Sequence, residues 1–141
     1  MLSQKARYAL HAMIYLARKA DAATVAEIAE REAIPRKFLE QVLSALGTRG
    51  LVIGRRGPQG GYRLARSPDM INFADILRCI DGPLALAPCA TRKGFRTCDG
   101  CRSMETCAIR PVLIAAREAT AEQLEAMSLA EAAAQGSITL S

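Results

Sequence analysis

The 141-residue chain has no tryptophan, three phenylalanines and three tyrosines. Its core must therefore be built from Leu, Ile, Val, Ala and Met, which the 50% hydrophobic fraction supplies. No apolar run approaches the ~20 residues needed to span a bilayer. The N-terminus opens on amphipathic sequence, without a signal-peptide layout. Both features predict a cytoplasmic protein with no membrane partner. Glutathione keeps thiols reduced in that compartment, so five cysteines, an odd number, argue against a disulfide framework. No acid–base constellation and no cofactor loop is visible, so an enzyme is not expected. The single histidine, His11, falls on a polar helix face and reads as an ordinary surface residue.

The charge is uneven. Up to Arg66 the chain holds twelve Lys or Arg against five Asp or Glu, and beyond it seven against nine. A basic half points first to a polyanion partner, namely nucleic acid.

Periodicity organises the basic half. "SQKARYALHAMIYLARKA" carries Ala6, Ala9, Leu10, Met13, Ile14 and Ala17 on one helical face, with Gln4, Arg7, His11 and Arg18 opposite. "TVAEIAERE" starts with a capping-box pattern, Thr24 and Glu27, and turns Val25, Ile28 and Ala29 inward. Pro35 opens "PRKFLEQVLSALG", whose expected buried stripe is Phe38, Leu39, Val42 and Leu46, with Gly47 as its end. "LVIGRRGPQGGYRLAR" is two strand-like pieces around a glycine-rich tip, a hairpin signal. Asn72 with Asp75 caps "FADILRCIDG". After the cysteine loop, Ile109, Val112, Leu113, Ala116, Leu124 and Met127 recur at helical spacing, and Ser128 with Glu131 caps a last short helix. The predicted class is mainly α with a small β-hairpin wing, a winged helix-turn-helix plus a long C-terminal dimerisation helix. The expected division is 1–82 for a winged helix-turn-helix DNA-binding domain, 83–106 for a cysteine-rich sensor loop and 107–141 for a dimerisation helix and a C-terminal short helix.

In that order of elements the helix starting at Pro35 is the recognition helix. Its stripe leaves Arg36, Lys37, Glu40, Gln41 and Ser44 outward, types that read base edges or phosphates. Arg55, Arg56 and Arg63 flank a tip containing Gln59 and Gly60 and suit a wing lying along the DNA backbone. Arg7 adds a candidate backbone contact. The expected partner is double-stranded DNA. The apolar stripe of the long helix exceeds what one chain covers, which predicts a homodimer.

Cys98, Cys101 and Cys107 fall within ten residues, and Cys89 lies just upstream. Such thiolates suit a soft metal centre. An iron–sulfur cluster ranks first, of the two-iron or four-iron type. A metal-free thiol switch, zinc and an inert loop follow. Zinc knuckles use two CxxC pairs and only one is here. A thiol oxidoreductase or cluster carrier is the rival from another class, but CxxC redox enzymes need a βαβ context. Cys107 is expected at the N-terminus of the long helix, where the dipole favours thiolate. Cys79, among Ile76, Leu77 and Ile80, reads as core.

The runs "ARYALHAMIYLA", "FLEQVLSALGTRGLV", "RGPQGGYRLAR" and "ILRCIDG", followed by clustered cysteines and a long helix, resemble the winged-helix bacterial regulators typified by IscR and NsrR. The resemblance covers nearly the whole chain. It implies a homodimeric transcription regulator, often a repressor, that often holds an iron–sulfur cluster and responds to cluster status, oxidants or nitric oxide. It also implies three cysteine ligands, matched here by Cys89, Cys101 and Cys107. Where IscR-like members have a fourth-ligand histidine, this chain has Arg110; where NsrR-like members have an acidic residue on the first helix, it has Arg7. Cys98 is the substitute that remains.

Overall fold

The computed structural model describes residues 2–58 and 60–136. Helices α1 (Gln4–Lys19), α2 (Val25–Arg31) and α3 (Arg36–Thr48) come first. Strands β1 (Val52–Arg55) and β2 (Gly61–Leu64) follow, then α4 (Phe73–Asp81), α5 (Arg110–Ala126) and α6 (Leu129–Ala134). The expected winged helix-turn-helix is present, with the hairpin in antiparallel register from Val52 opposite Leu64 to Arg55 opposite Gly61.

Local chemistry sets the boundaries. Ser3, Thr24, Asn72 and Ser128 each accept a hydrogen bond from a first-turn backbone N–H. At α4 the capping box is complete: Asp75 also accepts from the Asn72 N–H at 3.1 Å. Ser3 serves twice, since its own N–H donates to Asp81 Oδ2 at 3.1 Å and joins the start of α1 to the end of α4. Helix α3 differs from expectation at its end. It continues through Gly47 to Thr48, and the left-handed glycine is Gly50, with φ +72°.

The core is aliphatic, as the missing tryptophan requires. Met13 and Leu16, Leu39, Leu43 and Leu46, Ile71 and Ile76, and Leu129 are all buried in it. Phe38 does not belong to the stripe of α3. It is 46% exposed, and its ring centroid lies 6.4 Å from that of Tyr8. At about 100° per residue, Leu39, Val42, Leu43 and Leu46 fill one arc, and Phe38 lies outside it; Leu43 takes the place expected for Phe38. The core is also not confined to the first three helices, because α4 and α6 contribute Ile76 and Leu129.

The wing is clipped to the helices. Ala23, in the α1–α2 link, exchanges two backbone hydrogen bonds with Tyr62, at 2.9 and 2.8 Å. This contact needs a glycine beside it: Gly61 has φ +134°, and a Cβ there would meet the Ala23 carbonyl oxygen at 2.5 Å. Gly61→Ala is therefore expected to cost about 1–3 kcal/mol through backbone strain and loss of the clip. A lower thermal midpoint checks this; an unchanged one would show that the clip is not needed.

Candidate nucleic-acid interface and cysteine centre

Two sites stand out, one on the basic face and one in the loop. On α3, Arg36, Lys37, Glu40, Gln41 and Ser44 are exposed. Their spacing spreads them over an arc of about 140°, opposite the buried arc of the same helix. Arg36 and Glu40 pair at 3.5 Å, one turn apart and in the open. Such a pair contributes little to stability, so the guanidinium is readily available to another anion. On the hairpin Arg55, Arg56 and Arg63 are exposed and Gly60 is half-buried. Gly60 is required by close approach, since a Cβ there would lie 2.6 Å from the Arg55 carbonyl oxygen. Its N–H donates to the Gly57 carbonyl at 2.8 Å and folds the tip. Gln59 lies outside the described residues. Arg7 is exposed on α1. No Asp or Glu lies between Arg49 and Asp69, so the wing is purely cationic.

The loop gathers its thiols. Cys89, Cys98, Cys101 and Cys107 all line one cavity of about 470 Å³, closed on one side by Ile109, Arg110 and Leu113. Cys89 is buried and the other three are half-buried. Cys98 donates to Cys89 at a sulfur–sulfur distance of 3.5 Å. The Cys101 N–H donates to the Cys98 carbonyl at 3.0 Å, the tight turn that a CxxC spacing implies. The hydrogen bond with Cys98, followed by burial, pushes the Cys89 thiol up. Cys79 stands apart. Its thiol donates to the Ala45 carbonyl at 3.3 Å, and burial pushes it up.

One expected feature is displaced. Helix α5 begins at Arg110, three residues after Cys107, so Cys107 lies in the loop and not in the helix's first turn. Its N-terminal dipole argument therefore does not apply.

Arginines of α5 hold the loop. Arg110 Nε donates to the Cys89 carbonyl at 3.1 Å, and Arg117 Nη1 to the Ala90 carbonyl at 2.7 Å. Seven residues apart, the two share one helix face. Arg92, from the loop, bridges Glu118 at 3.3 Å and Glu125 at 3.0 Å. Arg92 and then Arg117 hold the Glu118 carboxyl below its ordinary range, and Arg78 foremost does the same for Glu125. Sequence reasoning missed these anchors, because a helical arginine carries no signal of a carbonyl that will come to it from a loop.

Four thiols are soft donors of the kind that zinc and iron–sulfur clusters both take. Among the described residues no group of three Cys, His, Asp or Glu is placed to hold a metal ion as the side chains stand.

An exposed polar helix face in a helix-turn-helix, with a cationic hairpin beside it, defines the class: a winged-helix DNA-binding transcription regulator. The chain belongs to the Rrf2 family, whose model, described as an iron-dependent transcriptional regulator, matches residues 2–135. It is 40% identical over 117 residues to an rrf2-like HTH-type transcriptional regulator of Rhodobacter capsulatus, covering 79% of this chain and 78% of that one. Among solved structures it is similar to CymR, the global cysteine regulator of B. subtilis, with TM-score 0.76 and 31% identity over 95% of this chain and 96% of that one. It is also similar to T. potens IscR, with TM-score 0.73 and 28% identity over 94% and 85%. These relatives are regulators, not enzymes. Among the described residues no helix is long and apolar enough to cross a membrane.

Proposed function

We propose that this regulator is a homodimeric repressor whose cysteine loop holds an iron–sulfur cluster and makes operator binding depend on cluster status, oxidants or nitric oxide. The observation that carries the reading is the convergence of all four loop thiols on one cavity fastened to α5. Cys89, Cys101 and Cys107 are the proposed ligands, with Cys98 as the fourth. When bound, the cluster supplies a centre that oxidants and nitric oxide can destroy. The chain's own residues supply the coupling. Arg110 and Arg117 fix the Cys89–Ala90 backbone to α5, so a rearrangement of the thiols pulls on that helix. The two DNA-binding heads of a dimer are then re-spaced, which changes affinity for paired half-sites.

Arg36, Lys37, Glu40, Gln41 and Ser44 are the proposed readers in the major groove. Arg55, Arg56, Gln59, Gly60 and Arg63 form the proposed wing contacts with phosphate or the minor groove, and Arg7 a backbone contact. Each phosphate neutralised lowers the log affinity by about 0.9 per log unit of salt. Arg55→Ala is expected to weaken binding to all duplexes alike and to flatten the salt slope. Gln41→Ala is expected to erode discrimination at one or two base pairs by about 1–3 kcal/mol. Fluorescence anisotropy across a salt series measures both. Salt-independent association, or no binding to any duplex, sinks the reading.

The Cys89–Cys98 approach favours a second reading, a metal-free thiol switch. Their sulfurs are 3.5 Å apart, and a disulfide needs about 2.05 Å. With a peroxide as oxidant, the two thiols give up two protons and two electrons, and the peroxide is reduced at its O–O bond. Iron and sulfide content of protein purified without oxygen separates the two readings.

A further inference from the structure

A second cavity, of about 540 Å³, lies away from the thiols. It opens between the C-terminal ends of α3 and α4, the loop and α5. Five cations line it: Arg49, Arg78, Arg92, Lys93 and Arg117. Arg78 and Arg92 share Glu125, and Arg92 and Arg117 share Glu118. Arg49 and Lys93 pair with no carboxylate among the described residues. Asp81, at the end of α4, is drawn off to Ser3. The two helix C-termini at the rim each carry about half a negative charge. Against these ends and the two glutamates, the five cations keep a surplus of about two positive charges.

A specific donor also lacks an acceptor. Arg117 uses Nη1 on the Ala90 carbonyl and Nη2 on Glu118, while its buried Nε has no hydrogen-bond partner among the described residues. An unmet buried guanidinium N–H is costly. Gly82, Pro83 and Leu84 supply an apolar wall. The volume falls in the range of small-molecule sites. Arg49 caps the C-terminal end of α3, about 19.5 Å along the axis from Arg36 and about 7.5 Å from Ser44.

We infer that this cavity is an effector site for a small organic oxyanion, a carboxylate or phosphate ester with an apolar body. Its cations come from α3, α4, the cysteine loop and α5. A bound anion therefore ties the proposed reading helix to the elements that hold the thiols, and gives the regulator a second input.

Calorimetric titration of the full chain with benzoate, phenyl phosphate and inorganic phosphate tests this. At least one organic anion is expected to saturate one site per chain and to bind more tightly than phosphate. Arg49→Gln and Lys93→Gln, both at exposed side chains, are each expected to weaken it about tenfold, the worth of one charge-assisted hydrogen bond. Arg56→Gln on the wing is expected to leave it unchanged. The inference is overturned if neither organic anion saturates by about 1 mM. It is also overturned if phosphate binds as tightly as both, if the two cavity variants bind like wild type, or if Arg56→Gln weakens binding equally. Operator binding is not needed for any of these readings, so they stand apart from the proposed DNA function.

Discussion

Cys101→Ala protein purified without oxygen is expected to be colourless, whereas wild type is brown with a broad visible absorption that air destroys. Cys89→Ala and Cys107→Ala should behave like Cys101→Ala, because all three thiols line the one loop cavity. Cys79→Ala should keep the colour. Its thiol faces the Ala45 carbonyl on α3 and takes no part in that cavity. The loss is expected to be complete, since a cluster held through few ligands has little redundancy. Absorption spectra with iron and sulfide analysis check this. Iron-free wild type from iron-replete anaerobic cells, or a brown Cys101→Ala protein, would remove the cluster from the account and leave the thiol switch.

Val112→Asp is expected to convert a dimer to monomers and to weaken operator binding by about two to four powers of ten, the usual gain from linking two half-site contacts. Helix α5 leaves Ile109 66% and Val112 68% exposed. Each is worth about 1.5–3 kcal/mol when covered, and a second α5 is the proposed cover. A carboxylate at the centre of a symmetric contact faces its own copy, so the penalty falls on both chains. Leu113→Asp should have the same effect, but Leu113 also lines the thiol cavity, so the Val112 variant is the cleaner test. Sedimentation and anisotropy read both properties. A stable wild-type monomer at micromolar concentration that binds a palindrome tightly would refute the dimer helix and the coupling together.

Much of the head was legible because short-range rules decide it. Caps at Thr24, Asn72 and Ser128 are written in three-residue patterns, and the hairpin in its glycines. The outward set on α3 followed from periodicity alone. Phe38 failed for a reason periodicity does not hold: an aromatic at the edge of the stripe found a partner in Tyr8 rather than a place in the core. Gly47 failed because propensity marks where a helix can stop, while the backbone here continues to Thr48 between the buried Leu46 and Leu51. The thiols were visible as a cluster. That Cys89 meets Cys98 rather than Cys101 or Cys107 depends on how a loop without periodicity folds against α5, and the arginine anchors that decide it are separated from their carbonyls by more than twenty residues. Nor does any local pattern announce that Leu129 of α6 is fully buried in the head.

That last contact has a mechanical consequence. The Leu129 N–H donates to the Ile71 carbonyl at 2.7 Å, and the Phe73 N–H to the Met127 carbonyl at 3.2 Å. The loop and α5 thus leave the head at one end of α4 and return to it at the other. They form a closed frame, with α4 as its fixed base, instead of an arm hanging from one joint. An arm can flap without moving anything else. A frame pinned at two corners can only shear or twist, and each displacement along one side must appear on another. In the proposed regulator, chemistry at the thiols is expected to reach α4, and through the Ser3–Asp81 link the start of α1, as a change of angle rather than as slack.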